Sequence, residues 1–314
     1  MRIVDTIVYH GDCPDGFCAA FVLACQHTNA RLVPATYGKP IDETWITGKH
    51  VIVVDFSWPR KETLRLHTLA ASMVILDHHK TAEAELAGLD FCTFNMHQSG
   101  AQLAYAYAHP GALAPWYVEY VADRDLWRWA LPDSREVNAF IMALPHTLEA
   151  WAVLDSMNVA DAVTYGRGAR MQIDHYVEKV CAQAYSGVWK SLGTSEGQPS
   201  EGQPSECHRL KIVNAAYPNI SDVCGALVEQ GADIGVGWFI RGDGLMQFSL
   251  RSKDRASKDR ASTTSPDSNI DVSRLAAEHG GGGHVHAAGF QLEAGAGLHL
   301  LYTWTTSNVR VENV

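Results

Sequence analysis

Long apolar stretches are missing from this 314-residue chain. None approaches the roughly 18 residues that a membrane-crossing helix needs, so no membrane partner is expected. Cysteine is sparse: there are seven, an odd number, with no C-x-x-C pair. That argues against a disulfide framework and against a zinc ribbon. Charged residues make up only 19%, and acids outnumber bases to give a formal charge of −10. A chain of that sign does not coat duplex nucleic acid by charge alone. An anionic substrate stays open if a metal and local cations supply the attraction. The opening Met1-Arg2-Ile3-Val4-Asp5 has no basic segment leading into a signal-like apolar run. A reducing cytoplasm is therefore the expected location.

What is present is an ordinary globular composition, 46% hydrophobic, in a chain long enough for about two domains. The first 80 residues alternate short β-branched runs with helical stretches. Ile3 to Tyr9 stops at His10-Gly11-Asp12-Cys13-Pro14-Asp15-Gly16, and a helix follows over Phe17 to Cys25. Leu32 to Ala35 is a second strand, and Val51 to Val54 a third, which ends at Asp55. After Pro59 a helix runs over Leu64 to Ala71, then Met73 to Leu76 forms a strand that delivers Asp77-His78-His79. Three apolar strands thus each end in acids or imidazoles. Buried strands in open α/β sheets gather their sites at these carboxyl ends.

Helices are expected over Thr81–Leu86, from a Ser99-Gly100-Ala101-Gln102 capping box to His109, and over Trp116–Val121, Val137–Leu144 and Leu148–Leu154. One long helix is expected from Ala160 to Trp189. Trp127 and Trp129 carry ring faces on which a base can stack, but beside Leu126 and Leu131 a packing role is the better reading.

A tandem pentapeptide over 195–204, rich in Gly, Pro, Ser and Gln, marks an exposed connector, and a second duplication over 252–261 marks a surface loop. The domains are expected at 1–190, with a linker at 191–208, and at 209–314. The second holds strand Leu210–Asn214, helix Ser221–Gln230, strands Ile234–Ile240 and Leu245–Arg251, helix Val272–His279 and strand Phe290–Leu292, with an unassigned tail. The expected class is α/β: a mostly parallel N-terminal sheet flanked by helices, and a smaller α/β domain across a cleft.

Two divalent ions about 3.5–4 Å apart need carboxylates able to bridge, imidazoles and open positions. His10, Asp15, Asp55, His78 and Asp123 meet that need, with Asp55 as the bridge and Asp77 orienting a His. His79, Arg251 and His284 are candidates for holding phosphate oxygens. The run Gly280-Gly281-Gly282-Gly283 before His284 suits an anion nest of backbone amides.

On these motifs the chain resembles the DHH phosphoesterase superfamily, in the subgroup with a DHH-associated C-terminal domain. Asp77-His78-His79 is similar to the eponymous motif, His10-Gly11-Asp12-Cys13-Pro14-Asp15-Gly16 to the first, Asp55 to the second and Asp123 to the fourth. Gly281-Gly282-Gly283-His284 resembles the associated domain's substrate signature, and Phe248 to Ser252 its phosphate-contacting strand. The resemblance implies a phosphoric diester hydrolase with two Mn²⁺, Mg²⁺ being the other candidate. It implies His10, Asp12, Asp15, Asp55, His78 and Asp123 as ligands, with His79, Asp77 and Asp55 catalytic. Arg251, Gly281, Gly282, Gly283 and His284 would bind substrate, in a cleft between the domains.

Order and size resemble the nanoRNase and cyclic-nucleotide phosphodiesterase branch, which implies short single-stranded oligonucleotides or nucleotide phosphodiesters as partners, with a homodimer as a candidate assembly. Cys13-Pro14 separate Asp12 from Asp15 where the family's motif has one residue, which favours Asp15 over Asp12 as a ligand. Alternatives are a RecJ-like single-strand exonuclease, a pyrophosphatase or polyphosphatase, and a nucleotide-binding module with a degenerate site.

Overall fold

The structure, a computed structural model, describes residues 3–190, 207–253 and 270–306. The chain divides into two compact units after Gln172.

In the first unit five parallel strands stand in the order β2-β1-β3-β4-β5. They are β1 (Thr6–His10), β2 (Arg31–Ala35), β3 (His50–Val54), β4 (Ser72–Asp77) and β5 (Cys92–Phe94). Their helices include α1 (Pro14–Gln26), α2 (Arg60–Leu69), α3 (Lys80–Glu85), α4 (Gly100–Ala108), α5 (Trp116–Asp125), α6 (Ser134–Ala143), α7 (Leu148–Trp151) and α8 (Val153–Ser156).

The strands are apolar on both faces because both faces are covered. Ile7, Tyr9, Ile52, Val54 and Leu76 point to a core shared with α1, α4 and α5. Val8, Val51, Val53, Met73 and Ile75 point the other way, against Leu66 of α2 and the rings of Phe56 and Trp58. Pro14 supplies a fixed φ at the first turn of α1, where its missing N–H costs nothing.

The strand order reverses between β1 and β3, the position at which open α/β sheets open a crevice. Register then does the rest. Tyr9 pairs with Val54 and Val54 with Leu76, so His10, Asp55 and Asp77 leave the sheet in one row across three adjacent strands.

The second unit has a six-stranded mixed sheet, β10-β11-β9-β8-β7-β6. Its elements are β6 (Tyr185–Lys190), β7 (Cys207–Asn214), β8 (Ile234–Ile240), β9 (Leu245–Ser252), β10 (Gly282–His284) and β11 (Ala287–Glu293). The helices α10 (Ile220–Glu229), α11 (Val272–Glu278) and α12 (Ala294–Thr306) flank it, and α9 (Val159–Cys181) carries the chain from the first unit. β7 and β8 are parallel, bridged by α10; the other neighbours are antiparallel. Phe248 and Phe290 stack at 4.7 Å in a core completed by Leu275, Leu301 and Trp304.

Four features differ from what was expected. The long helix does not reach Trp189: it ends at Cys181, and Tyr185–Lys190 pairs antiparallel with β7. Tyr, Val and Trp favour a pleated surface, and the sheet captures them. The division after Gln172 therefore falls earlier than the boundary expected at residue 190. Cys207 and His208, expected in the linker, open β7 instead. The unassigned tail contains α12, which places Leu301 and Trp304 in the second core. The rest of the linker (191–206) and the repeats, apart from Ser252 and Lys253, lie outside the described residues.

Candidate active site

Asp55 sits just past β3 with φ at +54°, a left-handed conformation that is costly for a side-chain-bearing residue but tolerated best by Asp and Asn. That turn tips its carboxylate across the sheet's end. Oδ2 lies 3.4 Å from Nδ1 of His10, and Oδ1 lies 3.0 Å from Nε2 of His78. One buried carboxylate thus faces two imidazoles from two strands. His78 Nε2 is also 3.7 Å from Asp15 and 3.4 Å from Asp125.

The charges in this row depend on one another. Burial opposes ionisation of Asp55, but the nearby imidazoles of His10 and His78 win and hold it well below the usual carboxylate range. Burial, then Asp125 and Asp55, push Asp15 well above that range. Burial pulls His78 down, yet Asp125, Asp55 and Asp15 push it up to about 10.

Asp15 does two jobs. Its oxygens accept from the backbone N–H groups of Gly100 (2.6 Å) and Ala101 (3.1 Å), so it caps α4 while facing His78. A Cβ on Gly100 would stand 2.5 Å from Cβ of Asp55 and 2.9 Å from Oδ2 of Asp15, so only glycine lets α4 reach these carboxylates. Ser99 and Gln102 close the expected capping box next to it.

Asp77 is fully occupied. Oδ1 accepts from Nδ1 of His79 (2.7 Å) and from the His78 N–H (2.7 Å), and Oδ2 accepts from the Ser57 hydroxyl (2.6 Å). It therefore orients His79, whose imidazole burial would discharge but which Asp77 holds above the ordinary histidine value. Tyr37 meets the His10 ring edge to face with centroids 5.2 Å apart, and Phe56 lies tilted at 6.2 Å; nothing in the sequence had singled them out.

Two expected ligands are not brought in. Asp123 is buried, but its carboxylate accepts from Ala130 N–H, Leu131 N–H and the Ser134 hydroxyl at 2.9, 3.3 and 2.6 Å. It fastens the loop after α5, and Asp125 takes its place beside His78. The two are separated by one residue on a helix, roughly 200° apart, so only one of them can face the strand ends. Helix α5 runs on to Asp125 rather than stopping at Val121, which decides which one. Asp12 is exposed, at φ +55°, and belongs to none of the groups of candidate ligand atoms in the described residues. Trp127 and Trp129 pack edge to face on each other at 5.1 Å, with Arg135 over Trp129.

The donor set suits a divalent cation. Oδ2 of Asp55 and Oδ2 of Asp125 are buried and make no hydrogen bond among the described residues. The candidate atoms of Asp15, His78 and Asp125 all lie within 4.8 Å of one another, as do those of Asp55, Asp77 and His79. Carboxylates with imidazoles match the harder first-row metals.

In the second unit Arg251 and His284 share a row. Arg251 of β9 pairs with Ala287 of β11, which pairs with His284 of β10, so all three side chains stand on one face. Arg251 donates to the Ser221 hydroxyl at 2.7 Å. The glycines form a hairpin strand rather than an open anion nest. Gly283 adopts φ +141°, where a Cβ would lie 2.5 Å from the Ala287 oxygen. Close strand approach explains the glycine there.

No family model matches the chain. The fold is that of the DHH-domain proteins. An exonuclease RecJ solved with manganese is similar over 98% of this chain and 92% of its own, at 15% identity and a TM-score of 0.51. RecJ of Thermus thermophilus with Mn²⁺ matches over 97% of this chain and 52% of its own, at 14% and 0.51. A solved DHH domain matches over 98% and 87%, at 12% and 0.51. In sequence, an uncharacterized protein of Acanthamoeba polyphaga mimivirus is 25% identical over 175 residues, half of this chain and 42% of that protein. The chain thus spans less than half of that relative's length. Among the described residues no helix is long and apolar enough to cross a membrane.

Proposed function

We propose that this chain is a metal-dependent phosphodiesterase acting on short oligonucleotides or on cyclic or linear dinucleotides. The observation that carries the reading is the division of one buried carboxylate, Asp55, between His10 at 3.4 Å and His78 at 3.0 Å. A bridging acid between two imidazole-bearing positions is what a two-cation centre requires. Asp15, His78 and Asp125 would complete one position, and His10 with Asp55 would begin the other. Mn²⁺ is the proposed ion, as in the RecJ structures of the same fold.

A bound cation pair supplies an activated water and neutralises charge that develops on phosphorus. The chain's residues do the remainder. Asp77 holds the His79 ring by its Nδ1 and so fixes the ring's orientation for a contact with a phosphate oxygen. Buried strand tips exclude water from the acids that would compete for the cations. In the second unit Arg251 and His284, in register on one sheet face, are assigned to the substrate's phosphates. The functional test is a panel of labelled di- to decanucleotides, a long single strand and cyclic dinucleotides with Mn²⁺. Fastest release of mononucleotide from the shortest linear substrates is expected. Preference for the long strand would favour a RecJ-type exonuclease, and no turnover of any substrate would sink the reading.

Proton linkage gives an independent check. A ligating His must be neutral, whereas the carboxylates hold metal-free His78 charged up to about 10, above the ordinary 6.5. That pairing stabilises the metal-free fold fully below 6.5 and is lost as pH rises through about 10. Mn²⁺ binding at neutral pH is therefore expected to expel a proton, and its affinity to rise with pH. Calorimetry in buffers of different ionisation enthalpy measures this. An affinity that does not change with pH would remove His78 from the ligand set.

A further inference from the structure

The turn between β1 and α1 holds a side chain without an assigned role. Asp12, expected to contribute a carboxylate there, is exposed at φ +55°. The next residue, Cys13, is only partly exposed, and its sulfur lies in a group with His10 and Asp55 whose candidate ligand atoms are all within 4.8 Å of one another. Cys13 occupies the N-cap position of α1 in an extended conformation; its carbonyl accepts from the Phe17 N–H, and the Gly16 N–H, set toward its sulfur, favours the thiolate.

The second observation is on the opposite side of the same group. Asp55 is 1% exposed, and its Oδ2, the oxygen turned toward His10, has no hydrogen-bond partner among the described residues. A buried carboxylate oxygen left in that state, flanked by an imidazole and a sulfur, is a three-donor pocket for a cation.

We infer that Cys13 is a thiolate ligand of the cation position formed with His10 and Asp55, and that this position favours thiophilic divalent ions over Mn²⁺. The inference rests on the metal-centre reading above but goes beyond it, since one sulfur makes the two positions unequal. The Asp15, His78 and Asp125 position offers nitrogen and oxygen donors, which suit Mn²⁺ or Mg²⁺. The Cys13 position offers sulfur, nitrogen and oxygen, and sulfur selects Zn²⁺, Co²⁺ and Cd²⁺.

Without a cation, burial followed by the charges of Asp55, Asp125 and Asp15 keeps the thiol protonated. The balance on binding is simple: as the sulfur–metal bond forms, the S–H proton leaves to solvent, and the incoming charge offsets the three acids.

The experiment uses the full reduced chain titrated with Co²⁺ and with Cd²⁺, recording the ultraviolet thiolate-to-metal charge-transfer band and, by calorimetry, binding of each ion and of Mn²⁺. Cys25 and Cys207 are exposed and Cys92 is partly exposed, so the decisive comparison is with Cys13→Ser. The wild type is expected to show the band and Cys13→Ser to lose it while still binding an ion at the second position. Cys13→Asp is expected to raise Mn²⁺ affinity relative to Cd²⁺ by roughly tenfold, as an oxygen donor replaces the sulfur. An identical band in wild type and Cys13→Ser, or ion binding in the wild type without a band, overturns the assignment of Cys13 and leaves the metal centre standing. Failure of every ion to bind overturns both.

Discussion

Asp55→Asn is expected to lower Mn²⁺-dependent phosphodiester hydrolysis by about a thousandfold, the upper end of the scale seen when one preorganised electrostatic group is removed. The size follows from the position. Asp55 contributes one oxygen on the His10 side and one on the His78 side, so neutralising it weakens both cation positions at once. Asn keeps the volume, keeps an acceptor for His78, and tolerates the left-handed φ of +54° as well as Asp does. The fold should therefore survive, with an unchanged far-ultraviolet spectrum. The metal-induced rise in stability should vanish. For a wild-type site it amounts to about 2.7 kcal/mol at a hundredfold excess of ion over Kd. Activity retained by Asp55→Asn would mean that the cations are not bridged there.

The second large effect is a contrast between two acids one residue apart. Asp123→Ala strands the Ala130 and Leu131 N–H groups and the Ser134 hydroxyl beside a residue only 4% exposed. Losing three charge-assisted hydrogen bonds, one of them from the buried Ser134 hydroxyl, should cost on the order of 3 kcal/mol of stability. Asp125→Ala should do the opposite. Burial, helped by the charge of Asp55 and opposed by His78, leaves its carboxyl raised, so the metal-free protein loses little when it goes. Its removal strips a donor from the position of Asp15 and His78, and Mn²⁺ affinity should fall by about a hundredfold. Thermal melts and calorimetry of the two variants separate the roles. Equal stability losses, or a metal defect confined to Asp123→Ala, would reverse the assignment.

That pair also marks the limit of what the letters alone convey. Strand ends were legible because a β-branched run buried on both faces must stop somewhere, and Val54 before Asp55 and Leu76 before Asp77 announce the stop. Parallel register then carries His10, Asp55 and Asp77 into one row without further information. Helix phase was not legible: whether Asp123 or Asp125 faces the strand tips depends on α5 continuing four residues past Val121, a choice made by the packing of Val118, Val121 and Ala122. The turn after β1 was equally opaque. A left-handed Asp12 swings outward and leaves Cys13 near His10, and sequence spacing does not encode that handedness. Tyr185–Lys190 looked helical beside α9 until β7 offered a partner strand, since β preference is realised only against a neighbour. The glycine run read as an anion nest rather than as part of a hairpin, because the reason for Gly283 lies at Ala287, across the pair.

The central claim is a pair of cations shared by Asp55 at the strand ends of the first unit. Anomalous diffraction from crystals soaked in Mn²⁺ tests it most directly. Two peaks are expected, one beside His10 and one beside His78, Asp15 and Asp125, with an Asp55 oxygen contacting each. Peaks elsewhere, or none within coordination distance of Asp55, would contradict it.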